Sequence, residues 1–189
     1  MRKIILGSTS PRRREILEKL RIPFVTEDSG YEEDMTLPLK PRDLVKKLAL
    51  GKARAVAVRH TNAIIIGGDT IVVLGKEVLG KPHTVARAKE MLKKLSGKTH
   101  SIMTGLAVID TKTGKEIVRA VEAKIEFRTL SDKQINSYVE TKEPLDKAGA
   151  YAVQGYGAAL IKKITGDYYG IVGLPLSLLQ DELEELGVL

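Results

Sequence analysis

Residues 63 to 74 read Ala63-Ile64-Ile65-Ile66-Gly67-Gly68-Asp69-Thr70-Ile71-Val72-Val73-Leu74. The two apolar runs are short and rich in β-branched residues, the signature of buried strands, and Gly75-Lys76 follows as a hairpin turn. Asp69 falls at the seam between the two strands. The glycines beside it let a ligand approach the backbone, and its proton affinity is contested between desolvation and nearby cations. An aspartate so placed is either a turn-stabilising residue or a working carboxylate. This stretch alone leaves both open.

Outward from that pair of strands, helical and extended patterns alternate. Upstream, Ile4 to Gly7 reads as a short buried strand. Ser10-Pro11 then opens a helix, with Ser10 as N-cap, Pro11 in the first helical position and Ile16, Leu17 and Leu20 on the apolar face. After an acidic loop (Glu32, Glu33, Asp34), Pro41 starts a helix. Its Leu44, Val45, Leu48, Ala49, Ala53 and Val56 recur at helical spacing and carry Lys52 on or beside the buried stripe. Downstream, Thr84 caps a helix with Ala88, Met91, Leu92 and Leu95 inward. Strands over 101 to 109 and 117 to 127 flank the turn Thr111 to Gly114, and Ser131 with Gln134 forms a capping box. Strands near 149 to 153 and 158 to 164, a Gly-rich connection and a helix entered at Pro175 complete the chain. The class is α/β with a mixed sheet, because hairpins and crossovers both occur. No repeat or linker divides the chain, so residues 1 to 189 are expected to form one domain.

The chain has 189 residues, 43% of them hydrophobic, and a length that buries roughly 70% of the unfolded surface. Without cysteine, disulfides, thiol nucleophiles and cysteine metal sites are excluded. The apolar stretch after Met1, Arg2 and Lys3 stops at Gly7, far short of a signal core or of the ~20 residues of a membrane span. A cytoplasmic protein without membrane contact is the expectation. The net charge of +7 is regional: residues 1 to 130 hold 26 Lys and Arg against 15 Asp and Glu, and residues 131 to 189 hold 5 against 9. Such an excess suits nucleic acid, a membrane surface or a small polyanion. With 4% aromatics and no Trp, there is little material for stacking on single-stranded bases.

Several motifs carry chemistry. Ser8-Thr9-Ser10-Pro11-Arg12-Arg13-Arg14 joins a strand to a helix start, where backbone N–H groups favour an anion. Three consecutive arginines point in three directions, so not all reach one ligand, and an arginine run also serves as a solvated face. Gly75 to Pro82 nearly spells the phosphate loop of Gly, four residues, Gly-Lys-Ser/Thr, but Pro82 replaces the hydroxyl and removes an N–H. A Walker-type NTPase is rejected. Lys81 remains open as a phosphate contact or a turn lysine. The small-residue segment 144 to 157 carries Gln154, whose amide suits the edge of a nucleobase. His60, His83 and His100 lack local metal spacing.

Together, Leu6 to Arg13, Gly67-Gly68-Asp69-Thr70, Gly80-Lys81-Pro82, Leu95 to His100, Asp146 to Tyr151 with Gln154-Gly155, and Gly166-Asp167-Tyr168 through Gly173-Leu174-Pro175 resemble the Maf family of nucleoside triphosphate pyrophosphatases. The likeness covers nearly the whole chain. It implies a two-lobed α/β fold, an elongated mixed β-sheet flanked by helices with a central cleft, related to inosine triphosphate pyrophosphatases and often homodimeric. It also implies cleavage of a nucleoside triphosphate between the α and β phosphates with a divalent metal, Mg²⁺ or Mn²⁺. Asp69 then matches the general base, and Ser8, Arg13, Glu33, Lys52 and Lys81 match phosphate and metal contacts, Glu33 and Asp69 being the expected metal ligands. Arg12, Thr70 and Gln154 match the subgroup acting on dTTP and UTP. Gly7, Gly68, Ala152 and Gly170 depart from the family pattern without removing a reacting group. On this reading Asp69 is held ionised by surrounding cations. The rival readings are a nucleotide sensor without turnover and a basic nucleic-acid-binding regulator.

Overall fold

A computed structural model describes residues 2–189, so Met1 lies outside the described residues. Seven strands form one sheet: β1 (Lys3–Leu6), β2 (Val25–Thr26), β3 (Ala63–Leu74), β4 (Glu77–Leu79), β5 (Thr99–Asp110), β6 (Lys115–Phe127) and β7 (Ile161–Thr165). Their order is β2-β1-β3-β5-β6-β7, with β4 also paired to β3. β1 runs parallel to β2 and β3, and all other pairs are antiparallel. The sheet is mixed, as the alternation of hairpins and crossovers in the sequence requires.

The helices are α1 (Pro11–Leu17), α2 (Pro41–Ala57), α3 (Val85–Leu95), α4 (Asp132–Glu140), α5 (Tyr168–Val172) and α6 (Leu176–Glu185). α2 lies along one face of the sheet. Ala49, Ala53 and Val56 pack on Ile65, Ala107 and Ile109, and Leu44, Val45 and Leu48 pack on Ile71, Val73 and Ala120. The opposite face carries two separate helix groups. At one end α1, α5 and α6 cover Ile64, Ile66, Leu106 and Val108; at the other, α3 and α4 cover Val72, Ile102, Ala123 and Ile125. These groups are the two lobes.

Strand β3 differs from the expectation of two strands meeting at Asp69. It is continuous over twelve residues, and Asp69 sits in its middle, opposite Gly105 of β5. The seam is instead on its free edge: β1 pairs with β3 only as far as Ile66, and β4 joins only at Val72. Residues 67 to 71 therefore have no strand neighbour on that side, and the cleft opens there.

Other expectations shift for local reasons. Ser10 makes no side-chain cap for α1; the Ser8 hydroxyl takes the Ser10 N–H instead, at 3.2 Å. The strand expected near 149 to 153 is a single 3₁₀ turn followed by irregular chain, with Gly149 and Ala150 at positive φ. The strand expected from 158 begins at Ile161, after another 3₁₀ turn. The Gly-rich connection contains the short helix α5, capped by Asp167 onto Tyr169 N. The capping boundaries at Thr84 and Ser131 fall where expected. No helix among the described residues is long and apolar enough to cross a membrane.

Candidate active site

A cavity of about 540 Å³ occupies the gap beside β3, and all nine residues singled out from the sequence line it: Ser8, Arg12, Arg13, Glu33, Lys52, Asp69, Thr70, Lys81 and Gln154. They arrive from six separate stretches of chain. The turn after β1 delivers Ser8, α1 delivers Arg12 and Arg13, α2 delivers Lys52, β3 delivers Asp69 and Thr70, and loops deliver the others.

At the centre, Lys52 Nζ lies 2.5 Å from Asp69 Oδ1 and 2.6 Å from Glu33 Oε1. Lys52 and Asp69 are both buried, at 8% and 5% exposure, so each charge needs the other. The approach of α2 that brings them together depends on glycine. A Cβ on Gly67 would come within 2.5 Å of the Ala49 carbonyl and 2.8 Å of Ala53 Cβ, and one on Gly105 would strike the Val45 carbonyl.

Burial and charge split the two carboxylates. Burial raises the proton affinity of Asp69 above the ordinary range, and it outweighs the opposing pull of Lys52 and Arg13. Glu33 is also penalised by burial, but the hydrogen bond and charge of Lys52, with Lys81 and Arg13, prevail and hold its carboxyl below the ordinary range. The cations expected around Asp69 are present, yet desolvation decides its direction. Two carboxylates pushed apart in this way can divide their work, one staying charged and one accepting a proton.

The anion side is built by the turn after β1 and the first turn of α1. Arg13 donates from Nε to the Gly173 carbonyl at 2.9 Å and from Nη1 to Ser8 Oγ at 3.2 Å, which fixes its guanidinium at the cavity wall. Because Ser8 Oγ accepts from both Arg13 and the Ser10 backbone, its own proton is left to donate. Arg14 points away and pairs with Glu18 at 3.0 Å on the exposed surface, so the three arginines do diverge. Lys81 and Gln154 reach the cavity from exposed loop positions.

The loop carrying Gln154 is tied down by Glu143. Its carboxylate accepts from Tyr156 N, Gly157 N and the Tyr138 hydroxyl at 2.8 to 3.0 Å, and Tyr138 in turn accepts from Ala152 N at 3.1 Å. Sequence reasoning missed Glu143, Tyr138 and the Gly173 carbonyl, since each acts through folded neighbours rather than a local motif. Tyr151, Lys147 and Ile171 also line the cavity. Tyr151 and Lys147 stood inside a recognised block, with no role attached to them.

Glu33 and Asp69 present the hard oxygen donors that suit Mg²⁺ or Mn²⁺. Each spends one oxygen on Lys52 and has no partner on the other among the described residues. No group of three or more His, Cys, Asp or Glu able to hold a metal ion occurs among the described residues. Two carboxylates fit a cation whose remaining ligands come from water and from substrate phosphate, the usual habit of Mg²⁺ at phosphoryl sites.

A dTTP/UTP pyrophosphatase of Desulforamulus reducens is 48% identical over 188 residues, covering 100% of this chain and 98% of the relative. One from Symbiobacterium thermophilum is 49% identical over 187 residues, covering 99% and 95%. The solved structure of the Staphylococcus aureus Ham1 protein superposes with a TM-score of 0.57 at 13% identity, covering 97% of this chain and 98% of that one, a likeness of fold alone. The family model described as Maf-like protein matches residues 3–186, and with nearly the whole length accounted for, this chain belongs to the Maf-like family.

Proposed function

We propose that the protein is a nucleoside triphosphate pyrophosphatase that hydrolyses the α-β phosphoanhydride of dTTP and UTP, releasing the nucleoside monophosphate and pyrophosphate. The observation that carries this reading is the cavity itself. Four cations (Arg12, Arg13, Lys52, Lys81) and a carboxylate pair converge on one cleft, which also holds an apolar wall and an exposed amide. Full-length relatives at 48 and 49% identity bear the name dTTP/UTP pyrophosphatase, which supports the pyrimidine preference.

The chemistry follows from charge. A triphosphate carries close to four negative charges, and cations held in a fixed arrangement stabilise both the bound substrate and the charge growing on the leaving pyrophosphate. Arg13, locked by Gly173 and Ser8, costs little reorganisation during the reaction. Ser8 donates its hydroxyl proton to a phosphate oxygen. Lys81 and Arg12, less constrained, grip the outer phosphates. Asp69 accepts the proton of the attacking water. Glu33, held ionised, keeps Lys52 in place beside it. Glu33 and Asp69 would hold Mg²⁺ or Mn²⁺, which supplies charge neutralisation and lowers the proton affinity of water.

The test is a panel of canonical and modified nucleoside triphosphates with Mg²⁺ or Mn²⁺, scored by product. Monophosphate and pyrophosphate in equal amounts from dTTP and UTP are expected. Release of orthophosphate, or no turnover of any triphosphate, overturns the reading; binding without turnover would identify a sensor.

A further inference from the structure

We propose that Thr104, a buried residue outside the cleft lining, makes the hydroxyl of Thr70 a hydrogen-bond acceptor only, and so tunes the cleft toward a pyrimidine whose N3 carries a hydrogen. The proposal rests on the nucleotide reading above and adds the device that discriminates between bases.

The hydrogen positions follow from two distances. Thr104 is fully buried, and its Oγ1 lies 2.7 Å from the Gly170 carbonyl oxygen. A carbonyl has no proton to give, so the single hydroxyl hydrogen of Thr104 points at Gly170. Thr70 Oγ1 lies 2.9 Å from Thr104 Oγ1, which also requires a proton between the two oxygens. Thr104 has none left, so Thr70 supplies it. Only the lone pairs of Thr70 then remain to face the cleft.

Strand alternation separates the two sides of the cleft. Asp69 faces α2, where it meets Lys52. Thr70 faces the other way, as do Val72 and, across the register, Thr104 and Ile102. Val72, Ile102, Tyr151 and Ile171 give that side an apolar lining. Phosphates suit the Asp69, Lys52 and Glu33 side together with Arg13, which lies over Gly68 and Gly173 on the Thr70 face; the apolar residues beyond Thr70 suit a flat ring, with its hydroxyl as a polar mark at their edge. Gln154 is less selective, because its amide offers a donor and an acceptor and can rotate. An acceptor fixed at Thr70 pairs with the N3–H of thymine or uracil. Against cytosine, whose N3 is itself an acceptor, it faces lone pair to lone pair.

The experiment measures kcat/KM for dTTP, UTP, dCTP and CTP with the wild type, Thr104→Val and Thr104→Ser, each checked by thermal melting. Thr104→Val frees the Thr70 hydroxyl to rotate, and the dTTP to dCTP ratio should fall about tenfold or more. Thr104→Ser should keep the wild-type ratio. An unchanged ratio in Thr104→Val, or equal slowing of all four substrates, overturns the proposal, since a structural role or a contact to the sugar would act on both bases alike. Should Thr104→Val not fold, the wild type is assayed with dTTP methylated at N3: a loss of about a hundredfold is expected, and turnover equal to dTTP overturns the proposal. If the wild type releases pyrophosphate from none of these substrates, it is the functional reading that fails.

Discussion

Lys52 Nζ and Asp69 Oδ1 stand 2.5 Å apart across the junction of α2 and β3. The same ammonium binds Glu33, so one side chain joins a helix, a strand and a loop. Replacing it with Met leaves Asp69 buried beside another carboxylate, with its hydrogen-bonded cation gone and only the charge of Arg13 opposing. Lys52→Met should lower kcat/KM at least a hundredfold and cost roughly 3 kcal/mol of stability, the usual penalty for breaking one partner out of a buried pair. Steady-state pyrophosphate release and chemical denaturation measure both, and wild-type behaviour in either would contradict the arrangement.

Asp69→Asn keeps the shape of the side chain and removes the base. The expected loss of rate is about 10²- to 10⁴-fold, with a melting temperature within a few degrees of wild type. Pyrophosphate release near the wild-type rate from a folded variant would remove Asp69 from the role of base.

The two glycines before Asp69 should respond differently to alanine. At Gly67 the added methyl meets the α2 backbone, whereas at Gly68 it approaches Arg13 Nε at 3.3 Å and the Gly173 and Gly105 carbonyls at 3.5 and 3.6 Å. Gly67→Ala should destabilise by about 1 to 3 kcal/mol through overpacking and reduce activity by displacing Lys52 from Asp69. Gly68→Ala should stay folded and active. Comparing melts and rates of the two variants tests the close approach of α2.

His100 makes stability depend on pH. It is buried against Phe127 and Tyr151, with Nε2 2.6 Å from the Tyr151 hydroxyl and Nδ1 without a partner among the described residues. Burial lowers its pKa from 6.5 to about 4. Since the unfolded chain takes up this proton first, stability is full above pH 6.5 and declines as pH falls toward 4. The loss totals about 3 kcal/mol at most. His100→Gln should flatten that part of the profile, measured as the denaturation midpoint between pH 7 and 4.5.

Glu143 holds three hydrogens of the Gln154 loop and its support. Glu143→Ala strips a charged acceptor from Tyr156 N, Gly157 N and Tyr138, at a cost of about 2 kcal/mol. Because Gln154 sits two residues before Tyr156, KM for dTTP should rise severalfold while kcat changes less. A variant with unchanged KM would show that the loop needs no such tether.

Much of this was legible in advance because the informative residues are strong local signals. The alternation of β-branched runs with helical stripes gave the class, Pro11, Pro41 and Ser131 marked helix starts, and the site residues lay in short ordered blocks. What stayed hidden depended on pairing between distant segments. The break at Asp69 looked like the end of a strand because Gly67 and Gly68 are poor strand formers; tertiary packing against Ala49 and Ala53 overrides that preference. The stretch 149 to 153 has the apolar composition of a strand, yet positive φ at Gly149 and Ala150 turns the chain away from any partner. Thr104 gave no signal at all, since its role exists only once Thr70 and Gly170 are brought to it.

The three long strands β3, β5 and β6, of twelve, twelve and thirteen residues, pass without interruption beneath both helix groups. Among the described residues these three strands join the lobes directly. Any tightening around a bound nucleotide must therefore come from flexing and twisting a continuous hydrogen-bonded ribbon, together with rearrangement of the loops at its rim. Such a spine resists large rotation and permits small, springlike changes in width. Asp69 and Thr70 on β3 thus stay in fixed register while Lys81, on its loop, is free to adjust.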